Sequence, residues 1–210
     1  MILSNAMLWI SYSPAIGCPE FGHDRHDTDT VKGYASLTNS SELQRIGMSM
    51  PTKITILKAV VADVPLILDL IRGIAEYEKL SHEVIATEDL LREHLFGPRP
   101  AAEVLIARTG SRPVGFALYF QNFSTFLGKP GIYLEDLFVL PDCRGKGIGK
   151  ALLKRVAAVA AERKCGRLEW SVLDWNQPAI DFYKSVGAKP MSEWTVFRMT
   201  EDAIDKLARG

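Results

Sequence analysis

The chain has 210 residues, 47% hydrophobic and 24% charged, with 25 basic side chains balanced by 25 acidic ones. That is enough chain to bury a core of its own, and zero net charge sets aside a dedicated nucleic-acid binder, which carries a basic surplus. The three cysteines, Cys18, Cys143 and Cys165, are scattered and odd in number, so they offer neither a disulfide framework nor metal-ligand spacing, and no metal is expected.

Residues 1–50 lack helical or strand periodicity and are rich in Ser, Thr, Asp, Asn and Gly. They read as a poorly ordered N-terminal extension ahead of a single domain over 51–210. Their short apolar patch has no Lys or Arg before it, as a signal peptide requires. No apolar run nears the roughly 20 residues that span a bilayer. A cytoplasmic protein without a membrane partner is expected. Met48 and Met50 stand just ahead of the first convincing strand, so two readings stay open: a natural start near Met48 or Met50, or a natural disordered tail upstream of the domain.

From residue 53 the pattern is regular. "KITILKAV" alternates as a strand. In "DVPLILDLIRGIAEYEKL" the residues Leu66, Ile67, Leu70, Ile71, Ile74 and Tyr77 recur at spacings of three and four. That predicts an amphipathic helix, with Asp63 as N-cap and Pro65 in the first turn. "TEDLLREHLFG" predicts a second helix, capped by Thr87. "AEVLIARTG" and "RPVGFALYFQNF" predict a hairpin, and "GIYLEDLFVL" a longer strand stopped by Pro141. "GKALLKRVAAVAAERKCG" is a strong helix pattern, with Arg163 and Lys164 in its last turn and Gly166 as the stop. "RLEWSVL" reads as a strand. "NQPAIDFYKSVGA" reads as a helix capped by Asn176, "EWTVFRM" as a final strand and "EDAIDKLA" as a short helix. The order β-α-α-β-β-β-α-β-α-β is that of an α/β domain with a mixed sheet. The strand–helix–strand unit over 132–173 should be a parallel crossover.

The turn "PDCRGKGIGK" links a strand to a helix. A helix N-terminus carries unpaired amides and partial positive charge, glycines let backbone approach an anion closely, and Arg144 and Lys146 add full charges. A Walker A loop would need Gly at position 144 and Ser or Thr at 151, where Arg and Ala stand. A dinucleotide fingerprint would need Gly at 150, where Lys stands. What fits is R-x-x-G-x-G, filled by Arg144, Gly147 and Gly149.

With that pattern, "YLEDLFVLPDCRGKGIGKALL" and "VLDWNQPAIDFYKSVGA" resemble the GNAT N-acetyltransferase superfamily. Within it they are similar to the branch of spermidine/spermine (diamine) and thialysine N-acetyltransferases and their bacterial relatives. The resemblance runs over about residues 53–200 and leaves 1–50 uncovered. It implies a GNAT-like acyl-CoA N-acyltransferase fold, with helices on both faces of a central mixed sheet, and acetyl-CoA as co-substrate. The co-substrate would lie where "YLEDLFVL" and "RLEWSVL" splay apart. Backbone groups of Leu137, Phe138 and Val139 would pair with its pantetheine arm. Arg144, Gly145, Lys146, Gly147, Ile148, Gly149 and Lys150 would hold its pyrophosphate, and Asn176 would contact it too.

By the same resemblance Tyr183 protonates the leaving sulfur and Glu135 deprotonates the amine through water. Tyr77, Glu78, Glu135 and Glu193 would face the substrate. Asp136 adjoins Glu135, but neighbours on a strand point to opposite faces. Both can line the cleft only if a bulge intervenes. Trp170, Trp175 and Trp194 are expected mainly in the core. The expected acceptor is a small cationic amine (a polyamine, a diamine, or a lysine or thialysine analogue), and a homodimer is implied. The alternatives are a protein or peptide N-acetyltransferase and a non-catalytic acyl-CoA-binding regulatory module.

Overall fold

The computed structural model describes residues 53–210, so the extension expected over 1–50 and the start expected at Met48 or Met50 lie outside the described residues. Five strands form one sheet in the order β1 to β5: β1 (Ile54–Lys58), β2 (Glu103–Thr109), β3 (Arg112–Ser124), β4 (Lys129–Val139) and β5 (Leu168–Glu169). The first four pair antiparallel and β5 joins β4 in parallel, so the sheet is mixed as expected.

Helices cover both faces. On one, α1 (Val64–Glu78) and α2 (Glu88–Phe96) pack against the sheet. Ile67 and Leu70 of α1 meet Val104, Ile106, Phe116 and Phe138 there. On the other, α3 (Ile148–Glu162) buries Leu152 and Val156 against Leu105, Val114, Tyr119, Ile132 and Leu134, and α4 (Gln177–Ser185) adds Phe182 and Tyr183. Of the α1 residues at spacings of three and four, Ile67 and Leu70 are buried and Leu66, Ile71, Ile74 and Tyr77 pack half-buried beside them, because a 3.6-residue period brings them onto one stripe.

Thr87 caps α2 as expected, its hydroxyl oxygen accepting from the Leu90 amide at 3.3 Å. Asp63 precedes α1 without capping it: its carboxylate accepts from the Val60 amide and from Arg108, each at 3.0 Å. Helix α3 stops at Glu162, short of the expected Gly166, and Lys164 takes the left-handed turn with φ 55°.

Two strand expectations are corrected. β5 keeps only two of the seven residues of "RLEWSVL", because its chain peels away from β4 after Glu169. "EWTVFRM" forms no strand at all. Its alternation satisfies the local pattern, but among the described residues no sheet edge pairs with it, and a strand is stable only in a ladder. The short helix predicted beyond it is present as α5 (Glu201–Ala208).

Candidate active site

The peeling of β5 makes the cleft. The parallel ladder pairs Ile132 with Leu168 and Tyr133 with Glu169 and then ends. From Leu134 to Val139 that edge of β4 has no strand beside it among the described residues. Trp170, Ser171 and Val172 form the opposite wall, and a cleft of about 540 Å³ opens between them. A free strand edge is a row of unpaired amides and carbonyls, able to accept an extended ligand as one more strand.

A β-bulge interrupts β4 inside this cleft. Leu118 of β3 stands opposite Asp136 and Tyr119 opposite Leu134, which leaves Glu135 as the extra residue. The core records the consequence. Ile132 and Leu134 pack on the α3 face, and so do Leu137 and Val139. The alternation slips by one residue between them, so Glu135 and Asp136 no longer take opposite faces; both turn from the α3 side. Leu118, opposite Asp136, packs with the cluster beneath α1 and α2. The bulge that sequence reasoning named as a condition is present, and it recruits Asp136, which that reasoning had set aside.

The end of α1 brings Glu78 into the cleft lining with Glu135, and both lie close enough to act on Asp136, which sits behind that lining. Burial pushes the Asp136 carboxyl up to about 6, with Glu135 and Glu78 adding repulsion. Burial also raises Glu78. A carboxyl raised on folding holds its proton more tightly in the folded than in the unfolded chain. Its ionised form therefore subtracts stability as pH climbs from about 4 to about 6, and the loss persists above. Asp136→Asn is expected to melt several degrees above the wild type at pH 8 and close to it at pH 4. A variant that melts below the wild type at pH 8 would show a stabilising carboxylate instead.

The glycine turn closes the other end. Gly145 and Gly147 take φ of 73° and 79°, in the left-handed region that a Cβ disfavours by about 1–2 kcal/mol. No side chain caps α3, so its first amides have no acceptor within the helix. Gly145, Gly147, Ile148, Gly149 and Lys150 all line the cleft. Unpaired amides, a helix dipole and nearby cations fit a diphosphate. Lys146 is not part of the lining; its ammonium donates to the Asp142 carbonyl at 2.9 Å. Arg144 lies across the groove, its Nε donating to the Val139 carbonyl at 3.1 Å and its guanidinium 4.2 Å above the Tyr77 ring.

Tyr183, from α4, lines the cleft with its ring 4.9 Å from Trp170 and 5.4 Å from Phe182. Burial pushes its phenol up to about 12, with the Glu78 carboxylate adding to the rise. Asn176 is buried and caps α4. Its side-chain oxygen accepts from the Ala179 amide at 3.4 Å and from the Tyr77 hydroxyl at 3.3 Å, tying α1 to α4 across the cleft.

The structure thus gathers Tyr77, Glu78, Glu135, Leu137, Phe138, Val139, Arg144, Asn176 and Tyr183 with the glycine turn. It leaves out Lys146 and Glu193, the latter exposed in the segment that forms no strand. Of the tryptophans, Trp170 packs against the core as expected and also walls the cleft, whereas Trp175, 53% exposed beside Tyr77, and Trp194, 69% exposed, depart from expectation.

The profile of the Acetyltransferase (GNAT) family matches residues 68–188. A thialysine N-epsilon-acetyltransferase from Bos taurus is 44% identical over 153 residues, covering 68% of this chain and 89% of the relative. An L-ornithine N5-acetyltransferase from Arabidopsis thaliana is 34% identical, covering 82% and 92%. Among solved structures, an integron cassette protein from V. cholerae superposes with a TM-score of 0.64 at 28% identity, covering 77% of this chain and all of that one.

Proposed function

The chain belongs to the acetyltransferase (GNAT) family and is an acyltransferase, and on that premise we propose that it moves an acetyl group from acetyl-CoA to a primary amine of a small cationic acceptor. The observation that carries the acceptor class is the presence of Glu78 and Glu135 in the lining, with Asp136 behind them, in a cleft whose glycine turn suits a diphosphate. Relatives named for thialysine and ornithine acetylation support the same class.

Acetyl-CoA supplies an activated acyl thioester. The chain's residues do the rest. The free edge of β4 at Leu137–Val139 holds the pantetheine arm, and the amides of 145–150 hold the pyrophosphate. For this Arg144 leaves the Val139 carbonyl and turns to the phosphates, which also frees Tyr77 on the acceptor side. An alkylamine, with a pKa of about 10, arrives protonated at pH 7 and cannot attack until it loses that proton. Glu135 accepts it through water. The oxyanion that forms at the acyl carbon needs fixed donors, which unpaired β4 amides supply. Tyr183, still protonated at any physiological pH, faces the departing sulfur.

The test is thiol release from acetyl-CoA with spermidine, putrescine, thialysine, ornithine, lysine, short peptides and an aminoglycoside. Turnover is expected with small diamines and amino-acid side-chain amines and not with peptides. Turnover confined to peptides would contradict the acceptor assignment.

A homodimer belongs to the proposal. Val196 and Phe197 are 78% and 91% exposed, within the alternating segment that has no strand partner in a single described chain. A second copy offers such a segment an edge to pair with. Light scattering should give a dimer for the wild type and a monomer for Val196→Ser/Phe197→Ser. A monomeric wild type would overturn the dimer.

A further inference from the structure

We propose that Asp136 is a positioning residue for the reaction proton: held beside Glu135 by the β4 bulge, it shares one proton with that carboxylate and takes on the proton that Glu135 draws from the acceptor amine. The inference rests on the acetyl-transfer reading and goes beyond it, since family resemblance assigned a proton role to Glu135 alone.

Geometry is its basis. A bulge makes two consecutive side chains share a face, and the slip of the core pattern between Leu134 and Leu137 locates it at Glu135. Glu135 is exposed and lines the cleft, whereas Asp136 is partly buried behind it and outside the lining. The charged groups that reach Asp136 are Glu135 from its own strand and Glu78 from α1; Leu118 stands opposite on β3. Tyr183 of α4 senses the same Glu78, and Arg144 lies over the neighbouring Tyr77. No cation is among the groups that move Asp136. Like charges brought together without a cation bind a proton jointly, and the less solvated member is where it rests.

The chemistry has a use for such a site. An ordinary exposed carboxylate is far too acidic to hold a proton taken from an ammonium. Asp136, raised to about 6, is a stronger base by about two orders of magnitude, yet still mostly ionised at pH 7. The protons balance. The ammonium gives one to the Glu135–Asp136 pair. The freed nitrogen lone pair forms the C–N bond to the acetyl carbon as the C–S bond breaks, with its electrons going to sulfur. The sulfur takes the Tyr183 proton, and the nitrogen's second proton returns to Tyr183 through water. One proton remains on the carboxylate pair and leaves to solvent before the next turnover.

The test is the pH profile of kcat/KM for Asp136→Asn and Asp136→Glu beside the wild type, with acetyl-CoA binding and circular dichroism as folding controls. Asp136→Asn should lose about 10- to 100-fold at pH 7. Its rate should then climb with pH towards that of the wild type, as the amine sheds its own proton. Asp136→Glu should recover part of the wild-type profile. A loss of the same size at every pH, or no loss, overturns the proposal.

A second readout needs no turnover. In aspartate-labelled protein, the carboxyl carbon signal that disappears in Asp136→Asn should titrate about two pH units above an ordinary aspartate, and should move in Glu135→Gln. A signal titrating in the ordinary range, or indifferent to Glu135→Gln, overturns it equally. If the wild type turns over no amine, the acetyl-transfer reading fails and this titration still decides the shared proton. If Glu135→Gln alone alters the pH profile, acetyl transfer stands and the role of Asp136 falls.

Discussion

Tyr183→Phe is expected to lower kcat by about 100- to 1,000-fold while leaving the Kd for acetyl-CoA within about twofold of the wild type. The substitution removes one hydroxyl and keeps the ring that packs on Trp170 and Phe182. The wall of the cleft therefore survives, and only the proton facing the sulfur is lost. The elevated phenol pKa gives the result a second signature. A phenol pushed up to about 12 keeps its proton throughout the range in which an amine substrate loses its own. The wild-type rate should then show no alkaline decline up to about pH 10 that can be assigned to this group. Steady-state kinetics with calorimetric binding measures both. A variant with full kcat would make Tyr183 a packing residue.

A large effect on stability is expected at Gly115. It sits in β3 opposite Val139, where the strands lie so close that an added Cβ would run into the Phe138 carbonyl and lie 3.2 Å from the Val139 Cα. Both obstacles are backbone, so neither can move without displacing β4 and with it the free edge that forms the cleft. Overpacking of this kind costs about 3 kcal/mol. For a domain of this size that is a fall of roughly 10 °C in Tm. Gly149→Ala is the control. Its Cβ meets only the Val139 Cγ2 at 3.7 Å, ordinary contact, and it lies in the first turn of α3. Thermal melts should separate the two variants clearly. A Gly115→Ala melt within about 2 °C of the wild type would mean that β4 can yield.

The elements most legible in the sequence are those whose signal is local. The stripes of α1 and α3, the Thr87 and Asn176 caps and the hairpin of β2 and β3 depend on residues a few positions apart, and the structure reproduces them. What depends on distant pairing is less legible. "RLEWSVL" has the composition of a full strand, yet its length is set by how far β4 tolerates a partner, and the pair parts after two residues. "EWTVFRM" alternates correctly and finds no edge within the described chain.

The candidate site divides in the same way. Glycines at positive φ and a basic turn before a helix can be read from the turn itself. The pairing of Glu135 with Asp136 cannot, because the bulge is visible only against the register of β3. The one sequence signal was two adjacent acidic residues inside an otherwise apolar strand. Arg144 was expected beside the phosphates from the turn pattern, and it lines the cleft; its contacts with the Val139 carbonyl and the Tyr77 ring depend on distant residues and could not be read from the turn.

Acetyl transfer to the amine is best measured as a stoichiometry: mass spectrometry of the amine alongside thiol release, from the same incubation with acetyl-CoA. For one small diamine or amino-acid amine, each thiol released is expected to be matched by one acetyl group gained on nitrogen, and both should vanish together in Tyr183→Phe. Thiol release with free acetate and an unmodified amine, or acetyl-CoA bound without any thiol released, would contradict that transfer.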